Sequence, residues 1–291
     1  MTTLSSVGRS KGRGDEIKKA VQERYARAAT QTMGGCCGPS CGCGPAAVRP
    51  DLLEPSRYTP EELSGLPADA VEHALGCGNP LAFAGVKEGD AVLDIGSGAG
   101  IDVLLASRIV GPAGKVIGLD FTPEMIQKAR QNAAKAGVSN VEFRYGDAEQ
   151  MPLEDSSVDW VISNCVINLA PDKRKVFSEV FRVLKPGGRV SISDIVTGNL
   201  PEAIKDQMGL WTRCIAGAIE EGEYLRTMRE AGLIDVAVIA RQRYDQASVL
   251  SLLEEILPDE ADQEIARGLL RQGESLVGNI WSAKVAGRKP A

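Results

Sequence analysis

The chain has 291 residues, a net charge of −6, 43% apolar residues and 25% charged residues. These are the fractions of an ordinary soluble globular protein, and no apolar run approaches the roughly 20 residues needed to span a bilayer. The opening MTTLSSVGRSKGRGDEIKK has no apolar signal core, and no basic block suits a nucleic-acid backbone, so the expectation is a cytoplasmic monomer handling small molecules.

Residues 15–29 place Ile17, Ala20, Val21 and Tyr25 at helical spacing and predict one amphipathic helix. Residues 34–45, GGCCGPSCGCGP, hold four of the seven cysteines in a composition that cannot build a packed core. The segment reads as a redox or soft-ion site, a small zinc or iron–sulfur site, or a tail without a role. A short helix is expected around Ala68–Leu75, and Gly76-Cys77-Gly78-Asn79-Pro80 leads into the core. From Asp90 onward, strands at Ala91–Ile95, Val116–Leu119, Val141–Tyr145, Trp160–Ser163 and Arg189–Asp194 alternate with helices at 100–110, Pro123–Ala136 and 172–184. The helix between the third and fourth strands is short or missing. Downstream come a helical segment with Trp211 and Cys214, a helix near Glu223–Ala231 and a strand at Ile234–Ala240. Helices over Val249–Leu257 and Asp262–Arg271 and a strand at Val277–Val285 complete the chain. The expected fold is α/β, a doubly wound, mostly parallel sheet. Its divisions are a Cys-rich N-terminal extension at 1–69, a core at 70–200, and an excursion with a C-terminal α+β extension at 201–291.

The first core strand runs into Gly96-Ser97-Gly98-Ala99-Gly100 and then a helix, a turn that brings backbone N–H groups to a ligand. The spacing is G-x-G-x-G, with Ile101 where a dinucleotide fingerprint has its third glycine, which argues against NAD. Asp94 has no apolar reason to close a buried strand and suits an amino group, which S-adenosylmethionine has and NAD lacks. Asp120 ends the second strand, where a carboxylate accepts from both ribose hydroxyls, and Asp147 in Gly146-Asp147-Ala148-Glu149 suits an exocyclic adenine amine. VLDIGSGAG, Asp120, GDAE and LKPGG resemble the class I S-adenosylmethionine methyltransferases over roughly residues 88–195. That resemblance implies a seven-stranded sheet and a cofactor-binding set of Asp94, Gly96, Ser97, Gly98, Gly100, Asp120, Met125, Asp147, Ala148 and Asn164.

Cys165, in SNCVINL, follows the fourth strand at the edge that carries the methyl group. Alone it would read as a small buried hydrophobe. Cys77 and Cys214 sit in segments able to fold over the same edge, and three thiolates favour a soft centre. The one histidine, His73, reads as a surface or capping residue, which excludes a His-rich zinc site. GCGNP, GSGAGID, DFTPEMIQKAR, VISNCVINLAPDK and CIAGAI are similar to segments of the arsenite methyltransferases over about residues 70–240. The resemblance implies trivalent arsenic as the substrate, for detoxification. Cys165 and Cys214 would hold it as catalytic thiolates, with Cys77 as a further thiol and Cys36 or Cys37 among the N-terminal candidates. Arsenic keeps a lone pair that attacks the methyl carbon, so no general base is needed, in agreement with the lack of a histidine or lysine assigned to the site. Methylation oxidises arsenic, which implies glutathione or thioredoxin as reductant and disulfides among Cys36, Cys37 and Cys77. The alternatives are a methyltransferase for an organic acceptor such as a quinone, and a non-catalytic thiol protein that binds metalloid.

Overall fold

The computed structural model describes residues 4–30, 58–74, 76, 78–198, 217–243 and 280–291. Seven strands, β1 (Ala91–Ile95), β2 (Lys115–Asp120), β3 (Val141–Tyr145), β4 (Val158–Asn164), β5 (Leu184–Thr197), β6 (Ile234–Arg243) and β7 (Ile280–Arg288), form one sheet. Their order is β3-β2-β1-β4-β5-β7-β6. The first five run parallel, and β7 lies antiparallel between β5 and β6.

Both faces of the sheet are covered, which explains why β1 and β4 bury successive residues instead of alternate ones. Val92, Trp160 and Ile162 pack on one face with α4 (Ile101–Val110) and α5 (Pro123–Ala136). Leu93, Ile95 and Val161 pack on the other with Phe177 of α6 (Lys173–Val183) and with Tyr224 and Met228 of α7 (Glu221–Glu230). Tyr224 and Phe177 meet edge to face, with ring centroids 5.3 Å apart.

Strand order reverses at β1, whose neighbours β2 and β4 lead away in opposite directions. In such a sheet the crevice beyond the carboxyl ends of the two diverging strands is the natural ligand site. Here the loop Gly96–Gly100 leaves β1 and Cys165 leaves β4, so the fold itself brings the two expected sites together.

α1 spans Leu4–Thr30, longer than its apolar pattern suggests, and buries Ile17, Val21 and Ala29. α2 spans Pro60–Leu63 and carries a capping box between Thr59 and Glu62. α3 spans Ala68–Glu72, ending short of the expected Leu75, with His73 as its C-cap. No helix stands between Tyr145 and Val158, as the sequence suggested. The segment with Trp211 and Cys214, the helices expected over Val249–Leu257 and Asp262–Arg271, and Cys36, Cys37, Cys41, Cys43 and Cys77 lie outside the described residues. Among the described residues, no helix is long and apolar enough to cross a membrane.

Candidate active site

Gly96, Gly98 and Gly100 all adopt positive φ (74°, 50° and 94°), a backbone state that side-chain-bearing residues enter only with strain. A Cβ on Gly96 would collide with both methyl groups of Val166, so the loop after β1 lies directly against the loop after β4. Gly98 faces open space. Its N–H donates to Asp120 Oδ2 at 2.9 Å, while Asp120 Oδ1 accepts from the Thr122 N–H at 2.8 Å. Each carboxylate oxygen keeps a further lone pair for a ligand hydroxyl.

Three carboxylates are buried at this end of the sheet: Asp94, Asp102 and Asp120. Burial holds Asp94 well above the usual carboxylate range, and the charges of Asp102 and Asp120 add to the effect. Burial pushes Asp102 up to about 6, against the hydrogen bonds from Tyr58 and Asn164 that favour its ionised form. Asp120 is also raised by burial, opposed by the N–H groups of Thr122 and Gly98. A cation entering here would favour the ionised form of all three against the burial that raises them. Asp94 Oδ2, Ser97 Oγ and His73 Nε2 are buried with no protein partner, atoms that ask for a ligand able to give and accept hydrogen bonds. S-adenosylmethionine, with its sulfonium, ammonium and ribose hydroxyls, fits that set.

Of the expected cofactor residues, Gly96, Ser97, Gly98, Asp120, Met125 and Asn164 line one pocket of about 660 Å³, counted to its open mouth. Asp94, Gly100, Asp147 and Ala148 are not part of its lining. Asp147 instead receives Lys18 Nζ at 2.6 Å, and Lys18 also reaches Glu149 at 2.8 Å. Gln22 Nε2 donates to Phe121 O at 2.7 Å, and Tyr25 joins the pocket wall. Helix α1, which the sequence reading left in an extension, therefore closes one side of the site. Asp102 and Tyr58 were also missed. The signal for Asp102 was an acid in the first turn of a helix otherwise built from Ile101, Val103, Leu104 and Leu105.

On the other side of the pocket stands Cys165, 6% exposed, with φ 60° and its N–H donating to Ser193 O at 2.7 Å. Cys165 is disulfide-bonded. The other six cysteines lie outside the described residues. Disulfide chemistry thus reaches Cys165 itself, beyond the Cys36, Cys37 and Cys77 set expected from sequence. The turn Ile167–Leu169 after it is pinned by Asp194, which accepts from the Asn168 N–H at 3.2 Å and from Asn168 Nδ2 at 2.8 Å. Burial pushes Asp194 up to about 7.

His73 requires a correction. It caps α3, its Nδ1 lying 2.8 Å from Asp69 O, but it is buried and lines the pocket, so it is no surface residue. The pocket therefore does contain a histidine, and the argument from its absence does not stand. Among the described residues, no group of three or more His, Cys, Asp or Glu is placed to hold a metal ion. Cys77 and Cys214, expected as arsenic ligands, and the candidates Cys36 and Cys37 lie outside the described residues.

Residues 86–232 match the family model described as a methyltransferase domain. The arsenite methyltransferase of Halobacterium salinarum is 41% identical over 286 residues, covering 95% of this chain and 68% of its own length. The human arsenite methyltransferase is 35% identical over 221 residues, 71% of this chain and 55% of its own length. The chain thus spans about two thirds of the first relative and about half of the second. The crystal structure of an arsenic(III) S-adenosylmethionine methyltransferase from Chlamydomonas reinhardtii superposes with a TM-score of 0.62 at 34% identity. That match covers 79% of this chain and 72% of the algal one. With its strand order, its glycine loop and these relatives, the chain belongs to the arsenite methyltransferase family of class I S-adenosylmethionine-dependent methyltransferases.

Proposed function

We propose that the chain methylates trivalent arsenic held by cysteine thiolates, with Cys165, Cys214 and Cys77 as ligands and one of Cys36 or Cys37 assisting. The observation that carries this reading is Cys165 lining the same pocket as the glycine loop, at the end of the strand beside β1. S-adenosylmethionine, when bound, supplies an electrophilic methyl group on a sulfonium. The chain's own part is to hold the acceptor's lone pair in line with that carbon and to exclude water, where positioning does most of the work. In the transfer an As–C bond forms and the S–CH₃ bond breaks. Arsenic loses two electrons formally, and two thiols return them by forming a disulfide. Glutathione or thioredoxin then reduces the disulfide. The disulfide at Cys165 suits such a cycle, and its reduction precedes substrate binding. A cytoplasmic, monomeric enzyme of detoxification completes the reading.

The test uses reduced protein, labelled S-adenosylmethionine, arsenite and glutathione, with separation of the methylated arsenicals. Cys165→Ser should abolish transfer, by more than the roughly 10–100-fold that loss of an outer partner of a bound centre costs, while cofactor binding persists. A carbon or hydroxyl acceptor such as a quinone would instead depend on a base, for which His73 is placed, and would be indifferent to Cys165. Full activity in Cys165→Ser overturns the arsenic reading.

A further inference from the structure

Cys165 follows β4 with a φ of 60°, in the left-handed region that a residue with a side chain keeps only where its surroundings over-determine it. Both of its flanks are fixed. Upstream, Asn164 Nδ2 donates to Gly78 O at 2.6 Å, and the Cys165 N–H itself donates to Ser193 O at 2.7 Å. Downstream, the turn Ile167–Leu169 is buried, and the backbone of Asn168 is held on both sides. Its N–H donates to Asp194 Oδ2 at 3.2 Å, and its carbonyl accepts from Lys173 Nζ at 3.3 Å. The side chain repeats the link, with Nδ2 donating to Asp194 Oδ1 at 2.8 Å and to the Ile195 carbonyl. Lys173 Nζ also reaches Ala170 O at 3.2 Å. The Leu169 N–H donates to Val166 O at 2.9 Å, so whatever holds Asn168 is carried back through one turn to the residue beside Cys165.

Resting on the reading that Cys165 is an acceptor thiol, we infer that Asp194 is a positioning residue for it, acting through Asn168: the carboxylate locks the turn that follows the cysteine and so keeps the cysteine in its left-handed conformation at the pocket wall. Asp194 is fully buried and is not part of the pocket lining. Besides Asn168 it accepts from the Ile195 N–H at 2.9 Å and from Tyr224 Oη of α7 at 3.3 Å. Burial raises its carboxyl to about 7, against the Ile195 N–H, the charge of Lys173, the Asn168 N–H and the Tyr224 hydroxyl. An acid buried this deeply costs free energy that an apolar residue at the end of β5 would not, and what it provides in return is a fixed geometry for the turn. The donor loop is held separately. The Gly96 and Ser97 N–H groups donate to Leu119 O of β2 at 2.7 and 2.9 Å, and the Gly100 N–H donates to Ser97 O at 2.8 Å. Loosening the lock on Asn168 therefore acts on Cys165 and leaves the hydrogen bonds of the cofactor loop in place.

The test uses the reduced full-length chain and measures arsenite methylation, S-adenosylhomocysteine affinity, the unfolding midpoint and the rate at which iodoacetamide labels Cys165. Labelling is read on the tryptic peptide of residues 145–173, in which Cys165 is the only cysteine. Asn168→Ala should lower kcat/KM for arsenite roughly tenfold to a hundredfold, the range for losing an outer partner of a bound centre. It should speed the labelling of Cys165 severalfold and leave S-adenosylhomocysteine affinity within about twofold, since the donor loop keeps its own hydrogen bonds. Tyr224→Phe removes a hydrogen bond to the same carboxylate from the helix side and keeps the ring against Phe177. It should lower the unfolding midpoint while kcat/KM and labelling stay within about twofold, because it leaves the turn untouched. Asp194→Asn, close in shape, should give a smaller loss of the same kind as Asn168→Ala and stands in for it if that variant does not fold. Activity that follows the unfolding midpoint across the variants, labelling that does not speed up, or an equal loss of S-adenosylhomocysteine each overturns the inference. An unsubstituted chain that forms no methylated arsenical, while Asn168→Ala still speeds labelling, overturns the arsenic reading from which the inference starts.

Discussion

The two halves of the crevice are built differently. The donor half comes from two neighbouring strand ends and their loops: Gly96–Gly100 after β1 and Asp120 at the end of β2. Its shape is set by backbone, through glycines at positive φ and N–H groups bonded across one turn. The acceptor half gathers Gly76 and Gly78, Asn164 and Cys165, Ser193 and Lys284 from chain positions more than two hundred residues apart. Their charges differ as well. The donor half buries three carboxylates, whereas the acceptor half buries Lys284, whose ammonium donates to Ser193 Oγ at 2.7 Å and is pushed down to about 8 by burial. No salt bridge to Lys284 is formed among the described residues. One half is thus rich in buried negative charge, and the other carries a buried ammonium.

The largest effect is expected where the halves touch. Gly96→Ala drives a methyl group into Val166 at a φ of 74°, so the donor loop and the acceptor loop must both shift. A strained left-handed residue costs about 1–3 kcal/mol and overpacking a similar amount, so cofactor affinity should fall by roughly tenfold to a hundredfold along with stability. Calorimetry of S-adenosylmethionine binding and denaturant unfolding measure the two losses. If affinity is lost without stability, the seam is softer than described. Asp94→Asn should separate the two properties. Removing a buried carboxyl whose ionisation burial and the neighbouring acids oppose should raise the unfolding midpoint, while the cofactor dissociation constant rises about tenfold or more, a trade of stability for function. A variant that gains stability and keeps its affinity would place the cation elsewhere.

Protonation distinguishes the halves more gently. With Asp102 at about 6, cofactor affinity should fall as pH drops through 6, by at most tenfold per pH unit, because a neutral carboxyl attracts a cation less. Stability moves the other way. The folded value lies above the unfolded 3.8, so the contribution of Asp102 to folding is fully present below 3.8 and is lost as pH rises through 6. Cofactor titrations between about pH 5 and 8, run beside denaturant melts, should therefore slope in opposite directions. Parallel slopes would mean that another group dominates.

The same contrast governs what could be read from the sequence. The donor half was legible, because a glycine loop, strand-end acids and βαβ periodicity are local patterns, and α5 falls at the expected Pro123–Ala136. Asp102 escaped because a charge in a helix's first turn reads as a dipole partner, and only burial shows otherwise. In the acceptor half, Cys165 was found from its strand, but the pairing of Asn164 with Gly78 spans 86 residues and has no local signature. Lys284 lies on a strand whose place in the sheet depends on a nonlocal antiparallel pairing with β5. His73 was read as a surface or capping residue; it does cap α3, but its burial in the pocket wall has no local signature.

Helix α1 itself was expected over 15–29, but its packing against the site had no local signature, and it supports the smallest prediction. Ile17, Val21 and Ala29 lie in the core, while Lys18, Gln22 and Tyr25, spaced three and four residues apart, meet the two loops expected to hold adenosine. The Lys18 pairs with Asp147 and Glu149 are partly exposed, a class worth roughly 0.2–1 kcal/mol each, so Lys18→Met should weaken S-adenosylmethionine only a few-fold. That loss should appear mainly as faster dissociation, since the pairs fasten a wall of the pocket and do not contact the reacting groups. Stopped-flow release of S-adenosylhomocysteine measures it. Raising the salt concentration should reproduce the variant in the unsubstituted chain and leave Lys18→Met unmoved, because screening removes the same two pairs. An identical salt response in both proteins would place the electrostatic hold on the cofactor entirely in Asp94, Asp102 and Asp120, and leave α1 as packing alone.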